Sequence, residues 1–167
     1  IKWNPAVKSE TDRLKIIEAV KSGRIDVLAT DHAPHTIEEK LGNYTKAPSG
    51  GPLVQHALPA LLEMSDNNVF TLEEIVQKGA HNVAELFEID RRGYIREGYY
   101  ADLVVVDLDN PWEVAAENIL YKCAWSPLTG QTFKSKVEAT FVNGKLVYNQ
   151  GEFLSKGQGQ RLLFDRS

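Results

Sequence analysis

The chain has 167 residues, with 19 Lys plus Arg against 23 Asp plus Glu and a formal net charge of −4. Apolar residues make up 43% and charged ones 25%, a globular mix that excludes a disordered tail, a collagen-like fibre and a disulfide-stapled miniprotein. No apolar run approaches the ~20 residues of a membrane span, and a mildly acidic balance without a basic block argues against nucleic acid as the main partner.

From the first residues onward, Ile1-Lys2-Trp3-Asn4-Pro5 lacks the charged-then-apolar order of a signal peptide. Ser9 precedes a helix expected over Glu10 to Ser22, and Asp12 three residues later completes a near capping box. Leu14, Ile17 and Val20 recur at helical spacing as an apolar stripe, and Gly23 ends the helix. The short apolar run Ile25 to Ala29 then predicts a buried strand, half of a βα repeat. Thr30 to Pro52 has no period and is rich in Gly and Pro. It is expected to be a long loop leaving that strand, and loops of this length are usually functional or disordered.

Pro52 is placed to open the next helix, which buries Leu58, Leu61 and Leu62. Thr71-Leu72-Glu73-Glu74 is a capping box for another, continued or broken near Gly79 and followed by Val83 to Phe87. Beyond Gly98 the period changes. Ala101 to Asp107 is β-branched and strand-like, and Val137 to Val142 and Lys145 to Tyr148 flank Asn143-Gly144, a strong hairpin signal. A boundary is therefore expected between residues 93 and 98, with α/β material before it and a β-rich unit after it. Cys123 stands alone, so no internal disulfide forms, which fits a reducing, cytoplasmic compartment.

The densest reactive cluster is Thr30-Asp31-His32-Ala33-Pro34-His35, at the end of the expected strand. In parallel α/β barrels such strand ends line the active site. A carboxylate there can ligate a metal and carry a proton, and an imidazole can ligate, donate a hydrogen bond or pair with an anion. The plainer reading makes Asp31 a turn cap and the histidines surface residues.

These residues also carry a family resemblance. Asp31-His32-Ala33-Pro34-His35 with Glu38-Glu39-Lys40 resembles the DHAPH segment of dihydroorotases, cyclic amidohydrolases of pyrimidine synthesis, in their bacterial type I branch. Lys2-Trp3-Asn4-Pro5 resembles the motif closing the preceding barrel strand, and Ala47-Pro48-Ser49-Gly50-Gly51-Pro52 the substrate loop. Lys122 to Pro127 and Phe141 to Gly144 resemble the C-terminal part. The resemblance implies that Asp31 is a metal ligand and general acid/base, and that His35 contacts the substrate carboxylate. It also implies that Asn4 binds substrate and that the backbone of Pro48, Ser49 and Gly50 lines the ring. Ser49 and Lys8 depart from the larger side chain and the arginine of many relatives.

The family's HxH pair, bridging lysine and intervening histidines are absent, and a whole barrel takes ~250 residues. The resemblance therefore implies the C-terminal part of a dihydroorotase. In fold class this is α/β, the last portion of a metal-dependent hydrolase TIM-type barrel (1–92) followed by part of a small β-sandwich domain (93–167). One or two zinc ions are implied, with most ligands outside this chain, as is a homo-oligomeric whole acting on dihydroorotate and N-carbamoyl-L-aspartate. The chain alone is expected to be inactive. The alternatives are another cyclic amidohydrolase, such as an allantoinase or dihydropyrimidinase, or a non-catalytic scaffold of the same fold.

Several residues carry plainer expectations. His56 and His81 are read as packing, capping or exposed residues. Cys123 is read as a small buried hydrophobe, and Trp112 and Trp125 as core or interface anchors of the β-rich unit. Glu38, Glu39 and Lys40 are read as a solvated loop face. Arg91, Arg92 and Arg96 form a basic cluster too small to imply nucleic acid.

Overall fold

The computed structural model describes residues 2–166; Ile1, where the signal-peptide reading begins, and Ser167 lie outside them. Helix α1 runs Glu10–Lys21. The Ser9 hydroxyl accepts from the Asp12 amide at 3.3 Å, and the Asp12 carboxylate accepts from the Ser9 amide at 3.0 Å. This box satisfies two groups that a helix start otherwise leaves unpaired. Only part of the expected apolar stripe is covered. Val20 is buried and Ile17 partly so, but Leu14 is 53% exposed.

The strand expected at Ile25 to Ala29 does not form; the segment has no regular secondary structure. A strand exists only through ladder bonds to a neighbour, and here the neighbour is a helix. The Leu28 amide donates to the Lys78 carbonyl at 3.1 Å, the Lys78 ammonium to the Ile25 carbonyl at 2.6 Å, and the Asn82 amide to the Asp26 carbonyl at 2.7 Å. Its apolar side chains still do their work. Ile25 and Leu28 pack with Ile17, Leu58, Leu61, Met64 and Val69 around buried Val20, Phe70 and Ile75.

Thr30 to Pro52 is not all loop, because helix α2 (Ile37–Lys40) interrupts it. The sequence signal for α2 is Thr36-x-x-Glu39, a second complete capping box. Pro52 does not open the next helix. A 3₁₀ turn at Val54–His56 leads into α3 (Ala57–Asp66), and buried Pro52 precedes both. Helix α4 (Leu72–Val76) starts on the Thr71–Glu74 box, passes through a π-helical turn at Gln77–His81 and continues as α5 (Asn82–Leu86).

Strands follow. They are β1 (Leu103–Asp107), β2 (Trp112–Glu113), β3 (Thr132–Phe133), β4 (Lys136–Val142), β5 (Lys145–Asn149) and β6 (Glu152–Phe153). Four form an antiparallel sheet in the order β1-β4-β5-β6, with bulges in the register near Val105 and Thr140. The β4–β5 turn is Asn143-Gly144, with φ of 51° and 78°, the two left-handed residues of a type I′ hairpin. Arg92 bonds both Asp102 and the Asn143 amide oxygen, tying the end of the helical half to this turn. β2 and β3 form a separate ribbon with Trp112 opposite Phe133. The stretch between them returns to the helical half, where the Gln55 backbone amide donates to the Tyr121 hydroxyl at 3.0 Å.

Candidate active site

Three sequence segments meet side by side. His32 and Gly51 form a parallel bridge, the Ala33 amide donates to the Gly51 carbonyl at 3.3 Å, and the Gly50 amide donates to the Lys2 carbonyl at 3.1 Å. The Lys2–Pro5, Asp31–His35 and Pro48–Pro52 motifs are thus stitched together through their backbones. Gly50 and Gly51 are required at the seam. A Cβ on Gly50 would lie 2.7 Å from the Ala33 Cβ at a φ of +101°, and one on Gly51 would meet the Trp3 ring at 2.9 Å.

Asp31 sits exposed just after the Ile25–Ala29 segment, with a φ of 45° in the left-handed region that few residues besides Gly, Asn and Asp adopt. Asn4 is exposed and His35 half-buried. No hydrogen bond joins the side chains of Asp31, Asn4 and His35 to one another among the described residues. His35 Nδ1 lies 3.5 Å from a Glu39 carboxylate oxygen, and the same oxygen accepts from the Thr36 amide at 2.9 Å. His32 Nδ1 accepts from the amides of Leu53 and Val54 at 3.0 and 3.3 Å. Pro48 and Ser49 are half-buried, whereas Gly50 is buried.

Beneath the loop lies an aromatic floor. His56 is fully buried and packs with Trp112, Tyr121 and Phe133. Its Nδ1 faces the Tyr121 hydroxyl at 3.1 Å and the Ser126 hydroxyl at 3.2 Å, and its Nε2 has no partner among the described residues. Burial holds the imidazole below its ordinary pKa and raises the Tyr121 phenol. Gln55 locks the same junction, donating to the Asn118 carbonyl at 2.7 Å and accepting from the Leu120 amide at 2.8 Å.

Trp125 is an anchor, but its indole N–H reaches the His35 carbonyl of the motif segment, and its ring borders Gly51. Trp112 anchors the ribbon through the Ser135 carbonyl. Cys123 is half-buried rather than buried. His81 stacks on Tyr94 at 4.1 Å, and Arg92 and Arg96 lie over the rings of Tyr100 and Tyr94. The expectation of a solvated face fails for Lys40. Its ammonium donates to the carbonyls of Lys2, Pro48 and Gly50 at 2.9, 2.8 and 2.7 Å. Burial, aided by the nearby Lys2 charge, holds its pKa below the ordinary lysine value.

The donor set does not by itself fit zinc. A zinc site ordinarily takes about three protein ligands, and the described residues contain no group of three His, Cys, Asp or Glu side chains able to hold a metal. Asp31 offers one carboxylate. No helix among the described residues is long and apolar enough to cross a membrane.

Residues 5–147 match the model of the amidohydrolase family. The chain belongs to the amidohydrolase family. Among curated amidohydrolases it is similar to a dihydroorotase of Clostridium acetobutylicum, 39% identical over 88% of this chain and 35% of that protein. A dihydroorotase of Lactococcus lactis is 42% identical over 88% of this chain and 34% of its own length. Among solved structures, the L-hydantoinase (dihydropyrimidinase) of Arthrobacter aurescens matches with a TM-score of 0.87 at 30% identity, covering 96% of this chain and 37% of that one. The chain thus spans little more than a third of the length of these relatives.

Proposed function

We propose that this chain is the C-terminal part of a dihydroorotase, which interconverts dihydroorotate and N-carbamoyl-L-aspartate in pyrimidine biosynthesis. The observation that carries the reading is the seam itself. The His32–Gly51 bridge sets the segment that carries Asp31 and His35 beside the Pro48–Gly50 segment, and this pairing supports the reading. The likeness to dihydroorotases over 88% of the chain supports the choice of substrate. The division into a barrel portion (1–92) and a β-sandwich portion (93–167) belongs to the same proposal, as do cytoplasmic location and a homo-oligomeric whole.

In this reading, ring opening breaks the C–N bond of the cyclic amide. Water oxygen adds to the carbonyl carbon, and the departing nitrogen takes a proton that Asp31 carries. His35 donates to the substrate carboxylate, Asn4 bonds the substrate from the neighbouring segment, and the backbone of Pro48, Ser49 and Gly50 lies along the flat ring. Gly50 suits that place because its backbone is not shielded by a side chain. The remaining ligands of a zinc site are assigned to the portion of the relatives that this chain does not span. The chain alone is correspondingly inactive.

A second reading, a cyclic amidohydrolase acting on substrates without a carboxylate, is favoured by the structural likeness to L-hydantoinase. His35 separates the two. In the whole protein that carries this chain, His35→Ala should lower kcat/KM for dihydroorotate roughly 10–150-fold, the worth of one charge-assisted hydrogen bond. It should leave dihydrouracil turnover nearly unchanged. An equal proportional loss on both substrates overturns the assignment of His35 to the carboxylate.

A further inference from the structure

We propose that Lys40 is a positioning residue, setting the backbone of Pro48–Gly50 by binding three carbonyls from two chain segments. The proposal rests on the functional reading above for what that backbone touches, and on geometry for the clamp. An ammonium has three donors, and an exposed lysine spends them on water. Here the Nζ reaches Lys2, Pro48 and Gly50 at 2.9, 2.8 and 2.7 Å. The Lys2 carbonyl also takes the Gly50 amide at 3.1 Å, so one point of the chain is pinned from two sides.

Helix α2 explains why a lysine at this position can do this. Its cap, Thr36, directly follows His35, and its last residue is Lys40. One short helix therefore fixes the spacing between the residue assigned to the substrate carboxylate and the clamp on the ring-lining backbone. The capping box between Thr36 and Glu39 holds the helix start, with bonds of 2.9 and 3.3 Å. Three cation–carbonyl bonds at the other end hold its finish. Displacement of Lys40 would release Pro48 to Gly50 without touching Asp31 or His35, so it should weaken substrate binding and spare the chemical step.

The test compares wild type, Lys40→Met and Lys40→Arg. Amide hydrogen exchange at Gly50, measured in the whole protein that carries this chain, reads the clamp directly. Lys40→Met should exchange there at least ~10-fold faster, since it loses charge-assisted bonds. In the whole protein that carries the chain, KM for dihydroorotate should rise roughly 10–100-fold with kcat within about threefold. Lys40→Arg keeps the charge, but a planar guanidinium does not converge its donors on three carbonyls around one nitrogen. It should fall between the other two, and it provides the readout if the methionine variant does not fold.

Unchanged Gly50 exchange in Lys40→Met overturns the clamp. Faster exchange with unchanged KM, or a kcat that falls as far as kcat/KM, overturns the positioning role. Lys40→Arg indistinguishable from wild type also overturns it, because charge alone would then suffice. If the wild-type enzyme turns over hydantoin but not dihydroorotate, the functional reading fails. The same KM comparison on hydantoin then decides the role of Lys40.

Discussion

The indole N–H of Trp125 donates to the backbone carbonyl of His35 at 2.8 Å, across 90 positions of sequence. The same ring borders Gly51, so one side chain touches both segments of the seam. Trp125→Phe should destabilise the chain by about 0.5–1.5 kcal/mol, the net worth of one hydrogen bond. Trp125→Ala should cost more, through lost packing. Urea denaturation checks both, and equal midpoints for wild type and Trp125→Phe would remove the bond from the account.

Asp31→Asn in the whole protein that carries this chain should lower turnover ~10²–10⁴-fold, since an amide takes up no proton. The fold should survive, because Asp31 is exposed and makes no side-chain hydrogen bond among the described residues. Steady-state kinetics beside circular dichroism reads the two effects separately. Near-normal kcat in a folded variant would defeat the proton-carrier role.

Gly50→Ala should destabilise by about 1–3 kcal/mol, because a left-handed backbone and a crowded Cβ add their costs. The crowding is specific, with the Ala33 Cβ at 2.7 Å and its carbonyl oxygen at 2.8 Å. Gly79 is the control. It lies in the π-helical turn with open space around its missing Cβ, so Gly79→Ala should be neutral or stabilise by up to ~1 kcal/mol. Chemical denaturation of both variants tests the contrast.

Burial holds His56 below the ordinary histidine pKa of 6.5. The folded state therefore favours the neutral ring, and the unfolded chain binds the proton more readily. Stability from this residue is present above pH 6.5 and is lost as the pH falls through that value toward the lower folded pKa. The melting temperature should drop on going from neutral to mildly acidic buffer, and the drop should shrink in His56→Gln. A drop of the same size in the variant would assign the acid sensitivity elsewhere.

What the sequence disclosed, and what it withheld, follows from the range of each interaction. The caps at Ser9 and Thr71 and the Asn143-Gly144 turn are contained within a few residues, and all three appear as read. The Thr36–Glu39 box is equally local, but the Gly- and Pro-rich composition around it is that of a loop. The strand at Ile25 to Ala29 could not be settled from its own composition, since pairing is a property of two segments. Lys40, His56 and Trp125 were opaque for a related reason. Lys40 looks like any surface charge, His56 has no neighbour in sequence to mark it as buried, and Trp125 finds its partner in a motif far upstream.

The ring of His32 carries one more consequence. Because its Nδ1 receives the amide protons of Leu53 and Val54, the neutral imidazole must keep its own proton on Nε2. That tautomer presents an N–H donor at Nε2 and keeps no free ring lone pair to bind a metal ion.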